Sequence, residues 1–571
     1  MPLGHNAALI FLAAHTPPPR MRFPALFKPS LNGPLTLAWG AALWLGLLCN
    51  WPLWQRMTSL PDLAGHQGWL FIAVFAGIVT ALTGALLSLL AGRRLIKPVL
   101  TVVLLTAAAL AHFMGSYGVV VDPTMVVNIV QTDAREAGDL LSWRLGASLL
   151  LLAGLPLLWL WRRPLQDIKW GPRLSLNLLG FVTGIALTVA LAFSSFAELA
   201  STMRNEPSLR YMINPLNLYW SLGVVAVESQ ATPAGPPEVI GADAQLAARP
   251  AGIKPPLLML VIGETARAAN FALDGYSRPT NPELAKLPTV LSFQNVSSCG
   301  TSTAASLPCM FSPLGRTAYG GQKSQQENLL DVLQRAGLAV LWLDNQSGCK
   351  GVCDRVPSDP TTRQATGAPP LPAALCEGGE CLDDALLHGL DERLAALDPA
   401  RAARGVVLVM HQMGSHGPAY FKRSPPDLKP FQPECRSNAL QQCPREQVVN
   451  AYDNSIVYTD RVLARAIGWL QAQDGRFEPS LYYVSDHGES LGENNLYLHG
   501  MPYAVAPREQ KHVPMLLWLG GAAADQRPCL QAKLNEPLSH DNLFHTVLGL
   551  VSVATSVYRA DWDFIASCRK R

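Results

Sequence analysis

Two cysteines enclose a run of hydroxyl side chains in Ser297-Ser298-Cys299-Gly300-Thr301-Ser302-Thr303-Ala304-Ala305-Ser306-Leu307-Pro308-Cys309. A threonine hydroxyl is a poor nucleophile near neutral pH until a base or a metal takes its proton. Far downstream, Ser485-Asp486-His487-Gly488 follows the apolar run Leu481-Tyr482-Tyr483-Val484, and an adjacent carboxylate and imidazole suit zinc. A third segment, Leu258-Met259-Leu260-Val261-Ile262-Gly263, delivers the carboxylate of Glu264 at its end. Together the three segments read as one metal-activated threonine site. Thr301, Ser302 and Thr265 are hydroxyls as well, and position alone does not separate them from Thr303.

Elements that would hold these groups together are legible around them. Apolar runs at 257–263, 338–343, 405–410, 481–484 and 513–519 alternate with segments of helical period at 327–336 and 449–470. That alternation predicts a mostly parallel sheet between helices. Ligands of such sheets gather at the carboxyl ends of the strands. Glu264, the stretch from Asp344 to Lys350, the stretch from His411 to His416, and Asp486-His487 all follow strand ends. Singly, each has an ordinary reading as a cap, a surface charge or a hydrogen-bonded corner; their convergence is what points to a site.

The first part of the chain is of another kind. Of 571 residues only 15% are charged, and the mean hydropathy is +0.17. Apolar stretches at 36–54, 69–91, 98–121, 145–161 and 174–198 each approach the roughly 20 residues that cross a bilayer. Basic residues cluster before the first (Arg20, Arg22, Lys28), between the second and third (Arg93, Arg94, Lys97) and between the fourth and fifth (Arg162, Arg163, Lys169, Arg173). The positive-inside rule places all three clusters in the cytoplasm, so everything after residue 198 is expected on the far side. Trp51 and Trp54 read as interfacial anchors, and the first segment as an uncleaved span. The net charge of +3 gives no reason to expect a nucleic-acid partner.

Five motifs carry a resemblance: Val261-Ile262-Gly263-Glu264-Thr265-Ala266, Cys299-Gly300-Thr301-Ser302-Thr303, Gly414-Ser415-His416-Gly417-Pro418, Ser485-Asp486-His487-Gly488-Glu489 and Ser539-His540-Asp541-Asn542-Leu543-Phe544-His545. They resemble those of the lipid A phosphoethanolamine transferases, a family in the alkaline phosphatase and sulfatase superfamily that includes the mobile colistin-resistance enzymes. The apolar, basic and amphipathic segments predict a cytoplasmic tail over 1–35, which the resemblance does not cover, a five-helix transmembrane domain over 36–198, and an amphipathic helix at 209–220 with a linker over 199–256. The resemblance implies a periplasmic catalytic domain of alkaline phosphatase-like α/β fold over 257–571. It also implies a bacterial inner-membrane location and a monomer.

What the resemblance implies for the site is specific. Glu264, Asp486 and His487 bind one zinc, with the oxygen of Thr303, the hydroxyl that the family pattern selects, as fourth ligand and nucleophile. His416 and His499 contact substrate phosphate or a second zinc. Lys350 and Gln346 stand beside the phosphoryl group, Gln346 where the family often has Asn. Asn128, Thr132 and Glu136 recur every fourth residue, on one face if the segment is helical; similar enzymes use them near the ethanolamine, whose ammonium Glu136 could pair. His411, His512, His540 and His545 are left outside the site.

Ten of the eleven cysteines fall in the second half as near neighbours, as expected of an oxidising compartment, and Cys49 alone lies in the first. The resemblance, with that placement, implies the pairs Cys299/Cys309, Cys349/Cys353, Cys376/Cys381, Cys435/Cys443 and Cys529/Cys568. A cysteine-ligated zinc module is disfavoured, since no Cys-x-x-Cys recurs at finger spacing. The expected reaction moves phosphoethanolamine from phosphatidylethanolamine to lipid A through a covalent threonine intermediate, giving resistance to cationic peptides such as polymyxin. Rivals are transfer to another lipopolysaccharide or glycan acceptor and a related membrane phosphatase. A sulfatase would need Cys or Ser in a Cys/Ser-x-Pro-x-Arg setting, which Thr303-Ala304-Ala305-Ser306 lacks.

Overall fold

The computed structural model describes residues 32–569 apart from 133, 168, 232–234, 250–251, 323, 362, 364–366 and 378. The expected tail over 1–35, with Arg20, Arg22 and Lys28, thus falls almost wholly outside the described residues.

Four helices among the described residues are long and apolar enough to cross a membrane: His66–Leu89, Ile96–Tyr117, Trp143–Arg162 and Trp170–Ser194. The expectation of five is corrected here, because the first apolar stretch forms the shorter helix Pro34–Cys49. Asn50 ends it, its amide donating to Leu45 O at 2.9 Å and Asn214 O at 2.6 Å, and Pro52 sits in the opening turn of the next helix, Trp51–Thr58. Small residues let the longest pair close up: a Cβ on Gly184 would lie 2.7 Å from the Cβ of Ala85, so Trp170–Ser194 and His66–Leu89 pack almost backbone to backbone. Lys97 donates to the carbonyls of Trp161 and Arg163, and Arg93 pairs with Asp167, so two of the basic clusters meet at one end of the bundle.

The amphipathic helix expected within 199–256 is divided over 209–220. Its first part is the short 3-10 helix Pro207–Met212, with Leu209 and Met212 buried, and the chain then restarts as the helix Leu216–Ala231. Between them Asn214 plugs into the bundle, its amide donating to Cys49 O and Ala107 O at 2.8 Å each. Pro215 has no N–H to continue the first helix.

Beyond the linker, seven strands form one sheet: β1 (Pro256–Gly263), β2 (Val290–Phe293), β3 (Ala339–Asp344), β4 (Ser358–Pro360), β5 (Val406–His411), β6 (Glu478–Ser485) and β7 (Met515–Leu519). The order across it is β2-β7-β6-β1-β5-β3-β4. Pairs from β6 to β4 are parallel, and only the β7 pairings with β6 and β2 are antiparallel, so the expected mostly parallel sheet is present. Its central strands are apolar throughout because both faces are covered. Leu258, Leu260, Ile262, Val407, Val409 and Val484 point into one core with the helices Leu329–Arg335 and Leu543–Leu550. Leu257, Met259, Val261, Leu408, Met410 and Tyr483 point into the other, against the long helix Arg445–Ala472.

Five disulfides join Cys299–Cys309, Cys349–Cys353, Cys376–Cys381, Cys435–Cys443 and Cys529–Cys568, and Cys49 is a buried free thiol. Opening a loop as short as Cys299–Cys309 is expected to remove about 2–3 kcal/mol by the chain-entropy argument. The Cys299→Ala/Cys309→Ala double variant should accordingly melt at lower temperature than the parent, and an unchanged melting curve would show that the bridge contributes nothing to the fold.

Candidate active site

The strands β1 and β6 are parallel neighbours, and Gly263 pairs in register with Ser485. That pairing brings the next residues on each strand, Glu264 and Asp486-His487, side by side at the carboxyl edge of the sheet, all three fully buried. Their ligating atoms lie within 4.8 Å of one another. Glu264 is held from below: Thr265 sits at φ 61°, a left-handed conformation, with its N–H donating to Asp486 Oδ1 at 3.1 Å and its hydroxyl to Glu264 Oε1 at 2.5 Å. Gly414, at φ +53°, is required by closeness as well as by conformation, for its Cβ would lie 2.5 Å from Glu264 O.

Thr303 opens the helix Thr303–Met310, so its hydroxyl stands at the positive end of the helix dipole. Its Oγ1 donates to Glu264, with Oε2 at 3.0 Å and Oε1 at 3.2 Å, and lies 3.4 Å from His487 Nε2. Two of the competing hydroxyls, Thr301 and Thr265, separate from Thr303 here. Thr301 donates to Met501 O at 2.6 Å, and Thr265 reaches only the Glu264 carboxylate, whereas Thr303 touches both Glu264 and His487.

Charge at this cluster is one-sided. His487 is raised to about 10, since burial opposes its charge but the carboxylates of Asp486 and Glu264 outweigh burial. Asp486 is pushed up to about 6 by burial and by the charge of Glu264. Glu264 is held below the usual carboxylate range: burial opposes this, and the hydrogen bond and charge of His487, with the charge of His416, prevail. Two buried carboxylates at this spacing favour either a proton or a cation held between them. The residues fit zinc on this structure's own evidence. Asp486 Oδ2 is buried and has no hydrogen-bond partner among the described residues. His487 Nδ1 bonds Gly488 O at 2.9 Å, which fixes the proton there and turns the Nε2 lone pair toward Glu264 and Asp486.

A model of the family described as Phosphoethanolamine transferase EptA/EptB matches residues 79–229, and one described as Sulfatase matches 256–553. Phosphoethanolamine transferase EptA of Escherichia coli (strain K12) is 40% identical over 567 residues, covering 95% of this chain and 98% of that protein. The chain belongs to the phosphoethanolamine transferases. Phosphatidylethanolamine transferase Mcr-1 of Escherichia coli is 37% identical, covering 93% of this chain and 97% of its own. Among solved structures, the integral membrane lipooligosaccharide phosphoethanolamine transferase A of Neisseria meningitidis superposes with a TM-score of 0.87 at 34% identity, over 94% of this chain and 99% of that one. The transferase is thus a membrane-integral enzyme whose second half is a sulfatase-family domain.

Other expected residues of the transferase are placed unevenly around the cluster. Gln346 donates to Glu264 Oε2 at 3.3 Å. The His499 ring centre is 4.3 Å from that of His487 and 5.9 Å from that of His416, so the three imidazoles form one bank beside Thr303. His499 is steered by Glu489, whose Oε2 accepts from Nδ1 at 2.9 Å. Lys350 turns to the helical half and donates to Gln131 O at 3.2 Å. The shared face expected for Asn128, Thr132 and Glu136 is corrected: the helix Pro123–Gln131 ends before Thr132, which is extended, and a second helix runs Ala134–Asp139. The Glu136 side chain lies outside the described residues.

The sequence reading left out His540, and the structure puts it at the centre of the scaffold. It is fully buried; Nδ1 accepts from Cys299 N–H at 3.0 Å and lies 3.2 Å from Ser306 Oγ, while Nε2 bonds Ser485 O at 2.9 Å. Ser306, one turn after Thr303, donates to Asp486 O at 2.5 Å. His540 and Ser306 therefore tie the threonine loop to the strand end that carries Asp486. The signal was present in Ser539-His540-Asp541, but nothing local distinguishes it. The His540→Ala transferase should lose about 10- to 100-fold in kcat with a small change in KM, as a misplaced nucleophile does. Burial depresses His540 to about 4, so its contribution to stability is complete above pH 6.5 and is lost as the pH falls from 6.5 through 4. A melting series over that range should show a smaller acid loss in the variant than in the parent.

Proposed function

We propose that the protein transfers phosphoethanolamine from phosphatidylethanolamine to a phosphate of lipid A, in two displacements through Thr303. The observation that carries this reading is the Thr303 hydroxyl held on Glu264 and His487 at the dry end of the sheet. Glu264, Asp486 and His487 would hold a zinc ion, which would supply a Lewis acid to ease loss of the Thr303 hydroxyl proton. Thr303 Oγ1 attacks phosphorus, the bond from phosphorus to the glycerol oxygen breaks, and diacylglycerol leaves with a proton. An acceptor phosphate oxygen then attacks the phosphothreonine and frees the Thr303 oxygen. Splitting the transfer this way replaces one hard step by two easier ones.

His416 and His499 face the phosphoryl oxygens in this reading and are the place for a second zinc. Gln346 and Lys350 flank the same group, and Asn128, Thr132 and Glu136 lie toward the ethanolamine by resemblance. Residues 36–198 form the transmembrane domain of the bacterial inner membrane, and residues 257–571 the periplasmic domain. Lipid A as acceptor is supported by the motif resemblance and by the lipooligosaccharide named for the neisserial relative. Capping its phosphates with a cationic group lowers surface charge and gives resistance to polymyxin. Mass spectra of lipid A from susceptible cells carrying the parent protein should show added phosphoethanolamine, and those carrying Thr303→Ala should not. Unmodified lipid A alongside a phosphoethanolamine-bearing core sugar would move the acceptor to the glycan.

A further inference from the structure

The two halves of the protein meet at a charged contact whose far end is in the active site. Asp139, 9% exposed, closes the helix Ala134–Asp139 of the helical half. Its carboxylate takes Lys422 Nζ at 2.5 Å and Arg423 Nη2 at 3.5 Å, and its carbonyl takes Asn438 Nδ2 at 2.6 Å. Arg423 is itself 5% exposed and divides its guanidinium three ways. Nη2 goes to Asp139, Nη1 to Glu380 at 2.8 Å, and Nε donates to the backbone carbonyl of His416 at 2.9 Å.

The backbone of this loop has little slack on its other side. Ser415 N–H donates to Glu264 O at 3.0 Å, and a Cβ on Gly417 would lie 2.9 Å from Glu489 Oε1. The His416 backbone is therefore suspended between the backbone of Glu264 and Arg423. A planar guanidinium with three fixed acceptors can hold a carbonyl in place, and an ammonium, a single point of charge, cannot.

We infer that Asp139 and Arg423 are positioning residues: docking of the Ala134–Asp139 helix on the α/β half sets the place of the His416 backbone, and with it the imidazole that faces the phosphoryl group. The inference rests on the role given to His416 above. Chemistry is then fully assembled only when the helical half is docked, which couples the step at Thr303 to the part of the protein that lies against the lipid.

Full-length protein in vesicles tests this with two donors, long-chain phosphatidylethanolamine in the bilayer and water-soluble dihexanoyl phosphatidylethanolamine, scoring released diacylglycerol. Asp139→Asn and Arg423→Lys are each expected to lower kcat about 10- to 100-fold on both donors, the scale of a small misplacement. KM and bound zinc should change little, and Asp139→Glu should recover most of the loss. Arg423→Lys keeps a cation beside Asp139 and Glu380 but loses the Nε–H on His416 O, so its failure to sustain kcat separates positioning from charge balance. A kcat within twofold of the parent in both variants overturns the inference, as does a defect confined to KM for the long-chain donor, which means simple membrane docking. His416→Ala with undiminished kcat instead overturns the role given to His416, whatever the other two variants do. Should Asp139→Asn fail to accumulate, Arg423→Lys measured beside Asp139→Glu decides the matter by the same criteria.

Discussion

Thr303→Ala is expected to reduce diacylglycerol release from phosphatidylethanolamine vesicles by at least about 10⁴-fold while the protein still reaches the membrane. The oxygen it removes is the one that Glu264 and His487 both approach, at 3.0 Å and 3.4 Å. Thr301 is committed to Met501 O, and the Thr265 hydroxyl is held on Glu264 Oε1. Thr303→Ser, which keeps the oxygen at the helix start, should restore part of the rate. Glu264→Ala and Asp486→Asn should each fall nearly as far, and combining either with Thr303→Ala should add little, because residues that act as one unit lose their effect together. Activity of Thr303→Ala within about a hundredfold of the parent would remove it as nucleophile.

Removing the metal with a chelator should abolish transfer, and zinc should restore it. The same treatment carries a pH signature. In the metal-free protein the cation between the carboxylates is the His487 imidazolium, raised from 6.5 to about 10. A folded value above the unfolded one means that this pairing stabilises fully below pH 6.5 and is lost as the pH rises from 6.5 through 10. Zinc takes the place of that proton, so the metal-loaded protein is spared the loss and binds its metal more tightly as the pH rises. The gap in melting temperature between the two forms should therefore widen across that range. With zinc at about 1,000 times its Kd the gain is about 4 kcal/mol. A constant gap from pH 6.5 to 10 would mean that His487 is not exchanged for the metal.

Sequence by itself determined the strands and the residues they deliver. Runs such as 257–263 and 405–410 are apolar at every position because both faces of the sheet are buried, and that pattern survives in one dimension. Glu264 and Asp486-His487 were legible for the same reason: a polar residue that ends a buried strand stands at the sheet's carboxyl edge. Where an apolar run or a period is interrupted, the reading failed. The first apolar helix stops at Asn50, whose amide finds Asn214 across the bundle, and so falls short of a full span. The shared face of Asn128 and Glu136 needed a continuous helix, and the chain is extended at Thr132. Only the tertiary structure brought the Thr303 hydroxyl onto Glu264 and His487, and only it revealed His540 and Arg423. Cys299 N–H meets His540 across 241 residues and Arg423 meets Asp139 across 284. Such contacts leave no periodic trace, since each is a single polar pair formed when distant segments close on one another, and a local pattern records burial, not partners.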